Sequence, residues 1–245
     1  MSPQSTPFRN RTHAGKLLAA ALSAYAGRPD VIVLALPRGG VPVGFTVAKA
    51  LGVPLDVLLV RKLGLPGHEE FAMGAIASGG IRVLNREAVE GFAVTPDVID
   101  AVCARELAEI DRRERRYRGA RAPLNLHGRT ALIVDDGLAT GSTMRAAAKA
   151  ARLLGAQRVV AAVPVGAPDS CDALAPEVDQ LVCLSQPPMF RAVSTWYREF
   201  GQTSDEEVQD LLALAWREPA HTDHPNTHTL GDNHESSLGS RPATR

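Results

Sequence analysis

The chain has 245 residues, a length that suits one large α/β domain with a small appendage. Its 27 Lys and Arg residues balance 27 Asp and Glu residues, so net charge gives no reason to expect nucleic acid or an anionic membrane as a partner. Aromatic residues make up only 4% of the chain, which disfavours a base-stacking surface for single strands.

The first 26 residues contain a basic stretch followed by an apolar run, Leu17–Leu22, which superficially resembles a signal peptide. The run is short and its periodicity fits a helix with one buried face, so secretion is the less favoured alternative. No apolar run approaches the roughly 20 residues that span a bilayer. Three cysteines without a CxxC pair argue against a disulfide framework or a zinc ribbon. These features predict a reduced, cytoplasmic protein.

Short apolar runs alternate with helical patterns along the chain, which indicates a Rossmann-like α/β fold, with a parallel sheet flanked by crossover helices. The predicted strands are Val31–Leu36, Leu55–Val60, Thr130–Val134, Arg158–Val163 and Gln180–Leu184. The predicted helices are Thr12–Ala26, Val41–Leu51, Pro96–Arg118, Ser142–Leu154 and Ser204–Trp216. Unbroken apolar strands are typical of a sheet that is buried on both faces.

Two segments depart from this alternation, an insertion and a C-terminal tail. Residues 64–121 are predicted to form an insertion or lid, with a hairpin at Ala72–Leu84 that closes at Gly79-Gly80 and a long helix. The arginine-rich part of that helix, residues 105–121, is interpreted as a solvated face with many salt bridges, and an anion-binding or oligomer role is the alternative.

The domain spans residues 1–217. Residues 218–245 are predicted to be a disordered tail, whose four histidines leave metal capture as a minor alternative.

The strongest chemical signal is the segment Ala131–Thr143. A strand delivers Asp135 and Asp136 to the carboxyl end of the sheet, where open α/β folds bind their ligands. The loop that follows offers backbone N–H groups and hydroxyls at a helix N-terminus, which suits a monophosphate. A carboxylate pair beside a phosphate cradle favours a sugar phosphate with free vicinal hydroxyls. The simpler alternative is a strand-to-helix turn in which these residues only cap the helix.

Two further loops provide cations near glycines. After the first strand, Arg38 supplies a planar fork for phosphate oxygens, while Gly39 and Gly40 permit unusual backbone angles and close approach to a ligand. Arg61 and Lys62 end an apolar run and precede the Gly- and Pro-rich segment Gly64–Met73, which is predicted to be a mobile loop. The alternative is that the two cations only cap a strand end. Three residues of that loop, His68, Glu69 and Glu70, could meet a nucleophile.

At these residues the chain resembles the type I phosphoribosyltransferases. The segment Leu132–Thr143 is similar to that family's signature for phosphoribosyl diphosphate (PRPP). The resemblance implies that Asp135 and Asp136 hold the ribose hydroxyls. It also implies that the 5-phosphate lies on the loop formed by Ala139, Thr140, Gly141, Ser142 and Thr143. The family fold is expected over about residues 8–210, with the features of an uncharacterised bacterial subgroup.

The same resemblance indicates which residues bind the leaving group and which lie near the acceptor. It implies that pyrophosphate is bound by Arg38, Gly39, Gly40, Arg61 and Lys62. The hood over the acceptor falls at residues 186–203, where Phe190, Trp196 and Tyr197 are candidates for stacking on a planar acceptor. Purine-salvage members often have an acid at the position of Ala139, so that acid/base role is missing in this chain.

The predicted function is a Mg²⁺-dependent transfer of the phosphoribosyl group from PRPP to a base-like nitrogen acceptor. Asp135, Asp136, Lys62 and Arg38 are the predicted catalytic residues. The metal is expected to be held by PRPP and water, with Asp135 or Asp136 as alternative ligands. Alternatives are a non-catalytic PRPP or nucleotide sensor, and a phosphoribosyl hydrolase or phosphorylase. Small molecules are the expected partners, without nucleic acid or membrane, and a homo-oligomer is left open.

Overall fold

The computed structural model describes residues 7–217, apart from the side chains of Glu69 and Glu70. The predicted tail from Glu218 lies outside the described residues, as do its histidines. In chain order the strands are β1 (Val31–Ala35), β2 (Leu55–Val57), β3 (Val60–Leu65), β4 (His68–Ala77), β5 (Ile81–Leu84), β6 (Thr130–Val134), β7 (Arg158–Val165) and β8 (Gln180–Ser185). The helices are α1 (Arg11–Ala21), α2 (Gly40–Leu51), α3 (Arg86–Gly91), α4 (Pro96–Arg118), α5 (Ser142–Leu153), α6 (Pro168–Leu174) and α7 (Asp205–Arg217).

The main sheet is parallel and five-stranded, in the order β2-β1-β6-β7-β8. Every residue of β1 and β6 is buried, which is why these strands are unbroken apolar runs. One face packs Val33 and Val134 against α1, α2 and α7. The other packs Leu34 and Ile133 against α5 and α6. The predicted α/β class with a parallel central sheet is confirmed.

One predicted strand is wrong, because Leu55–Val60 belongs to two different sheets. β2 ends at Val57, and Val60 opens β3 in an antiparallel sheet of order β3-β4-β5. The apolar run continues through the connection because Leu58 and Leu59 are both buried. The Leu58 N–H donates to Ala35 O at 3.1 Å, so the chain leaves the main sheet directly after its last parallel contact.

The second sheet also corrects the predicted loop at Gly64–Met73, which is a β-hairpin. β3 and β4 pair antiparallel and are joined by Pro66 and Gly67. Gly67 has φ +79°, and Pro followed by a positive-φ Gly is the pattern of a type II turn. The predicted hairpin turn at Gly79-Gly80 is confirmed between β4 and β5.

The long helix matches its predicted bounds, Pro96–Arg118, and α2, α5 and α7 begin and end within one residue of prediction. α1 is shorter than the predicted Thr12–Ala26, because a short 3₁₀ turn at Ser23–Tyr25 follows it. The predictions missed α3 and α6, which have six and seven residues and too few turns to show a periodicity. No helix within residues 7–217 is long and apolar enough to cross a bilayer.

The arginine-rich end of α4 ties the second sheet to the main one. Arg118 donates from Nε to Asp56 Oδ1 at 2.9 Å and from Nη2 to Asp56 Oδ2 at 3.1 Å, and each side chain is only 8% exposed. Arg116 pairs with Asp205 and Glu206 at the start of α7. Other arginines of α4 form exposed pairs along the helix, as the solvated-face interpretation predicts.

Asp56→Ala should lower the free energy of unfolding by about 3–5 kcal/mol, because it leaves the Arg118 guanidinium buried without its carboxylate. Urea denaturation measures this loss. Arg28→Ala is the matched control, since the Arg28–Asp30 pair is 43% and 36% exposed and should cost less than about 1 kcal/mol. Equal losses in the two variants would show that burial of the Asp56 pair is energetically unimportant.

Candidate functional site

The candidate site lies at the carboxyl edge of the main sheet, where the loops after β1 and β6 meet. These strands are neighbours, and the Leu36 N–H donates to Val134 O at 3.0 Å. The first loop then turns into α2, and its Pro37–Arg38 peptide bond is cis. The second loop begins with the acid pair Asp135 and Asp136. Sheet topology therefore brings the predicted pyrophosphate loop against the predicted ribose-binding acids.

Close packing between the two loops leaves no room for a side chain at residues 39 and 40, which are both glycine. A Cβ atom on Gly39 would lie 2.1 Å from Asp136 Oδ2, and one on Gly40 would lie 2.7 Å from Val134 O and 3.0 Å from Asp135 Oδ1. Gly39 has φ −61°, an ordinary right-handed helical value, so the expected unusual backbone angle is wrong at this residue. The two glycines allow the backbone of one loop to touch the carboxylates of the other.

Each acid has one carboxylate oxygen committed to a protein donor. Asp135 Oδ1 accepts the Asp136 N–H at 2.8 Å, and Asp136 Oδ2 accepts Arg11 Nε at 2.8 Å. Within residues 7–217, Asp135 Oδ2 and Asp136 Oδ1 have no hydrogen-bond partner. The acid pair thus presents two open acceptor oxygens at the edge of the sheet.

Burial shifts the pKa of both carboxyls in this pair. It raises the pKa of the Asp135 carboxyl well above its ordinary value, and repulsion from Asp136 adds to the effect. Burial also raises the pKa of Asp136, although the Arg11 guanidinium opposes that rise. Two adjacent carboxylates in a half-buried site are costly for the fold, and shifted acids of this kind concentrate at functional sites.

The functional residue that sequence reasoning missed is Arg11, the first residue of α1. Besides its contact with Asp136, its Nη1 donates to Gly201 O at 2.7 Å, and its guanidinium lies 3.9 Å above the Phe200 ring. These partners are 125 and 190 residues away along the chain. No local pattern around Arg11 indicates them.

The predicted hood, residues 186–203, packs beside the acid pair. The Tyr197 hydroxyl donates to Asp136 O at 2.6 Å, and its buried ring lies between Phe8 and Phe200. Burial raises the pKa of Tyr197, so this hydroxyl stays protonated. Phe190 and Trp196 pack partly buried against the same cluster. Tyr197 therefore holds the backbone of Asp136 through a hydrogen bond to its carbonyl oxygen. Acceptor contacts at Phe190, Trp196 and Tyr197 stay predictions.

The predicted phosphate loop, Ala139–Thr143, begins α5 and is mostly exposed. Gly141 has φ +73° and is the residue before the first helical turn, so a glycine is favoured there. Ser170 of α6 donates to Ala139 O at 2.5 Å, and Thr140 and Ser142 share a hydrogen bond of 3.0 Å. Backbone N–H groups and hydroxyls at a helix N-terminus suit a phosphate, and phosphate binding by this loop stays a prediction.

Two of the predicted cations, Arg38 and Arg61, lie beside different acids. Arg38 Nη1 lies 3.8 Å from Asp205 Oδ1, at the start of α7. Arg61 Nε donates to Glu106 Oε2 at 2.5 Å, and Arg105 Nε donates to Glu106 Oε1 at 3.0 Å. Burial alone would raise the pKa of Glu106, but these two arginine contacts outweigh it and hold that pKa below its usual value. Arg61 therefore anchors α4 on the second sheet, and its role as a diphosphate ligand stays a prediction.

Gly39→Ala should lower the free energy of unfolding by about 1–3 kcal/mol, because the added methyl group would overlap the Asp136 carboxylate. Chemical denaturation measures the change. Gly91→Ala is the matched control, since no heavy atom lies within 4 Å of the Cβ it would add. If Gly39→Ala is as stable as the control variant, the two loops do not approach as closely as described.

Asp135→Asn should raise the free energy of unfolding at pH 7. Because the folded-state pKa of Asp135 is raised, the wild type loses stability as pH rises above about 3.9, the ordinary Asp value, whereas Asn does not titrate. The gain should therefore disappear near pH 3. Denaturation of both proteins at several pH values measures it, with the exposed Asp210→Asn as control. An unchanged or lowered stability at pH 7 would contradict the buried-charge argument.

Known proteins resemble this chain over most of its length. Two Mycobacterium tuberculosis relatives, from strains CDC 1551 and H37Rv, are both named "Putative phosphoribosyl transferase". Each is 49% identical over 211 residues, which is 86% of this chain and 47% of the relative. The chain thus spans about half the length of these curated relatives.

The crystal structure of TT1426 from Thermus thermophilus is similar in fold and sequence. It has a TM-score of 0.76 and 42% identity, and the match covers 84% of this chain and 98% of that one. The family model described as the phosphoribosyl transferase domain matches residues 9–193, which include both loops of the candidate site. The chain belongs to the phosphoribosyl transferase domain family.

Proposed function

We propose that this chain transfers the 5-phosphoribosyl group of PRPP to a nitrogen atom of a base-like acceptor and releases pyrophosphate. The observation that supports this most is the pair of open oxygens, Asp135 Oδ2 and Asp136 Oδ1, next to a phosphate-binding type of loop at the start of α5. Vicinal ribose hydroxyls need two such acceptors. The 5-phosphate needs the N–H groups and hydroxyls of Ala139–Thr143.

The reaction breaks the bond between C1 of the ribose and a pyrophosphate oxygen, and it forms a bond between C1 and the acceptor nitrogen. The bonding electron pair leaves with pyrophosphate, so negative charge grows on the leaving group. Arg38, Lys62 and the backbone of Gly39-Gly40 are the groups we assign to stabilise that charge. Because Ala139 has no acid/base group, we assign the proton lost by the acceptor nitrogen to water. The alternative bases are His68, Glu69 and Glu70.

Magnesium is the cofactor that fits this chemistry. Mg²⁺ prefers oxygen ligands and is usually bound through one or two carboxylates together with substrate phosphates. PRPP and water would supply most of the ligands, and a carboxylate oxygen of Asp135 or Asp136 is the alternative protein ligand. When bound, the metal would neutralise charge on the pyrophosphate.

The proposed substrates are small molecules, and the cytoplasm is the expected site of action. The hood residues Phe190 and Trp196 are the proposed acceptor contacts, because they are only partly buried and lie in the cluster that supports the acid pair. A planar, apolar-faced acceptor suits such aromatic rings.

Mass spectrometry of a metabolite extract, incubated with the protein, Mg²⁺ and PRPP, tests the function. We expect pyrophosphate release that depends on one fraction of the extract, together with a phosphoribosylated product. Tight PRPP binding without any product would instead support a sensor. Ribose 5-phosphate release without an acceptor would support a hydrolase. No PRPP binding at all would show that the site assignment is wrong.

The double variant Thr140→Ala, Ser142→Ala should weaken PRPP binding about tenfold or more, because it removes two hydroxyl donors to a charged phosphate. Isothermal titration calorimetry measures the affinity. Thr12→Ala, an exposed hydroxyl on α1, is the control and should bind as the wild type does. Equal affinities of the double variant and the control would exclude this loop as the phosphate site.

A further inference from the structure

Arg11 joins three parts of the molecule that the sequence keeps apart. It begins α1, donates to Asp136 beside the sheet, and donates to Gly201 at the end of the hood. Its side chain is 13% exposed and that of Asp136 is 14% exposed, so the ion pair is largely removed from water. The guanidinium carbon lies 3.9 Å from the centroid of the Phe200 ring, a cation–π contact that restrains the side chain.

We infer that Arg11 is a positioning residue, which fixes the Asp136 carboxylate so that Oδ1 is the oxygen offered to a ribose hydroxyl. This inference rests on the proposed function. Arg11 occupies Oδ2, and the Gly39 backbone lies against the same oxygen. A carboxylate held on that side cannot rotate freely, so its second oxygen keeps one direction. A preorganised acceptor of this kind binds a hydroxyl without an ordering cost.

Arg11 also offsets the charge of the acid pair. Within residues 7–217 it is the only cation that forms an ion pair with Asp135 or Asp136. Without it, two adjacent and partly buried carboxylates would repel each other, and neither would have an ion-pair partner within residues 7–217. The Asp136 side chain would then be expected to turn toward water and away from the ribose position.

The phosphate loop does not depend on Arg11. Leu138 N–H donates to Val165 O, the Ala167 N–H donates to Leu138 O, and Ser170 donates to Ala139 O. These hydrogen bonds are made by the end of β7, the residue before α6 and α6 itself, and Arg11 takes part in none of them. Loss of Arg11 should therefore weaken recognition of the ribose hydroxyls and leave phosphate binding intact.

Calorimetry with two ligands separates these effects. Ribose 5-phosphate has both hydroxyls, and 2,3-dideoxyribose 5-phosphate keeps the phosphate and lacks them. Arg11→Met retains the stem of the side chain and removes its donors. It should weaken ribose 5-phosphate binding about tenfold, the loss expected for one charged hydrogen bond, and dideoxyribose 5-phosphate binding less than about twofold. Arg11→Lys keeps the charge without the fork and should rescue part of the preference.

The control is Arg28→Met, which removes an exposed Arg–Asp pair and should leave both affinities unchanged. If the wild type binds both ligands equally, the ribose site of the proposed function is wrong. If the wild type prefers ribose 5-phosphate and Arg11→Met keeps that preference, the role of Arg11 is wrong. Equal weakening of both ligands, with a lower melting temperature, would mean that Arg11 is only structural. Should Arg11→Met fail to fold, the same comparisons apply to Arg11→Lys, which should show a reduced preference.

Discussion

The close contact between the loops after β1 and β6 is the constraint on which the rest of the site depends. Backbone atoms of Gly39 and Gly40 lie where any side chain would overlap Asp136, Val134 O or Asp135. Because the strands are parallel neighbours, both loops lead into helices whose N-termini are at the same edge. The positive ends of α2 and α5 therefore lie at the edge of the sheet where we propose that the two phosphate groups of the substrate bind.

This arrangement costs stability, and the surrounding structure offsets part of the cost. Asp135 and Asp136 are partly buried neighbours whose pKa values are both raised, so ionising either carboxyl is less favourable in the folded protein than in water. Arg11 and the Tyr197 hydroxyl bind Asp136 from two sides, through its carboxylate and its carbonyl. Such a trade of stability for prearranged polar groups is common where a protein binds a ligand.

Sequence patterns predicted the parts of the fold that are local. The run Thr130–Val134, the acids after it and the helix from Ser142 are contiguous, so strand, loop and helix could be assigned together. Arg11 could not be assigned, because its partners depend on how α1 and the hood pack across the sheet. The hairpin at Gly64–Met73 was hidden because its glycines and proline are typical of loops, and here they form a turn and bulges in paired strands.

The hairpin also places two adjacent cations, Arg61 and Lys62, in different surroundings. Side chains alternate along β3, so Arg61 and Leu63 face α4, where Glu106 and the apolar residues of that helix pack on them. Lys62 is exposed on the opposite face, which it shares with Val60, and Val60 packs against the cluster that contains α5. The alternation thus commits Arg61 to the packing of the insertion and leaves Lys62 on the other face of the strand, outside that packing. Of these two cations, Lys62 is therefore the one whose proposed role at the leaving pyrophosphate does not compete with the packing of α4.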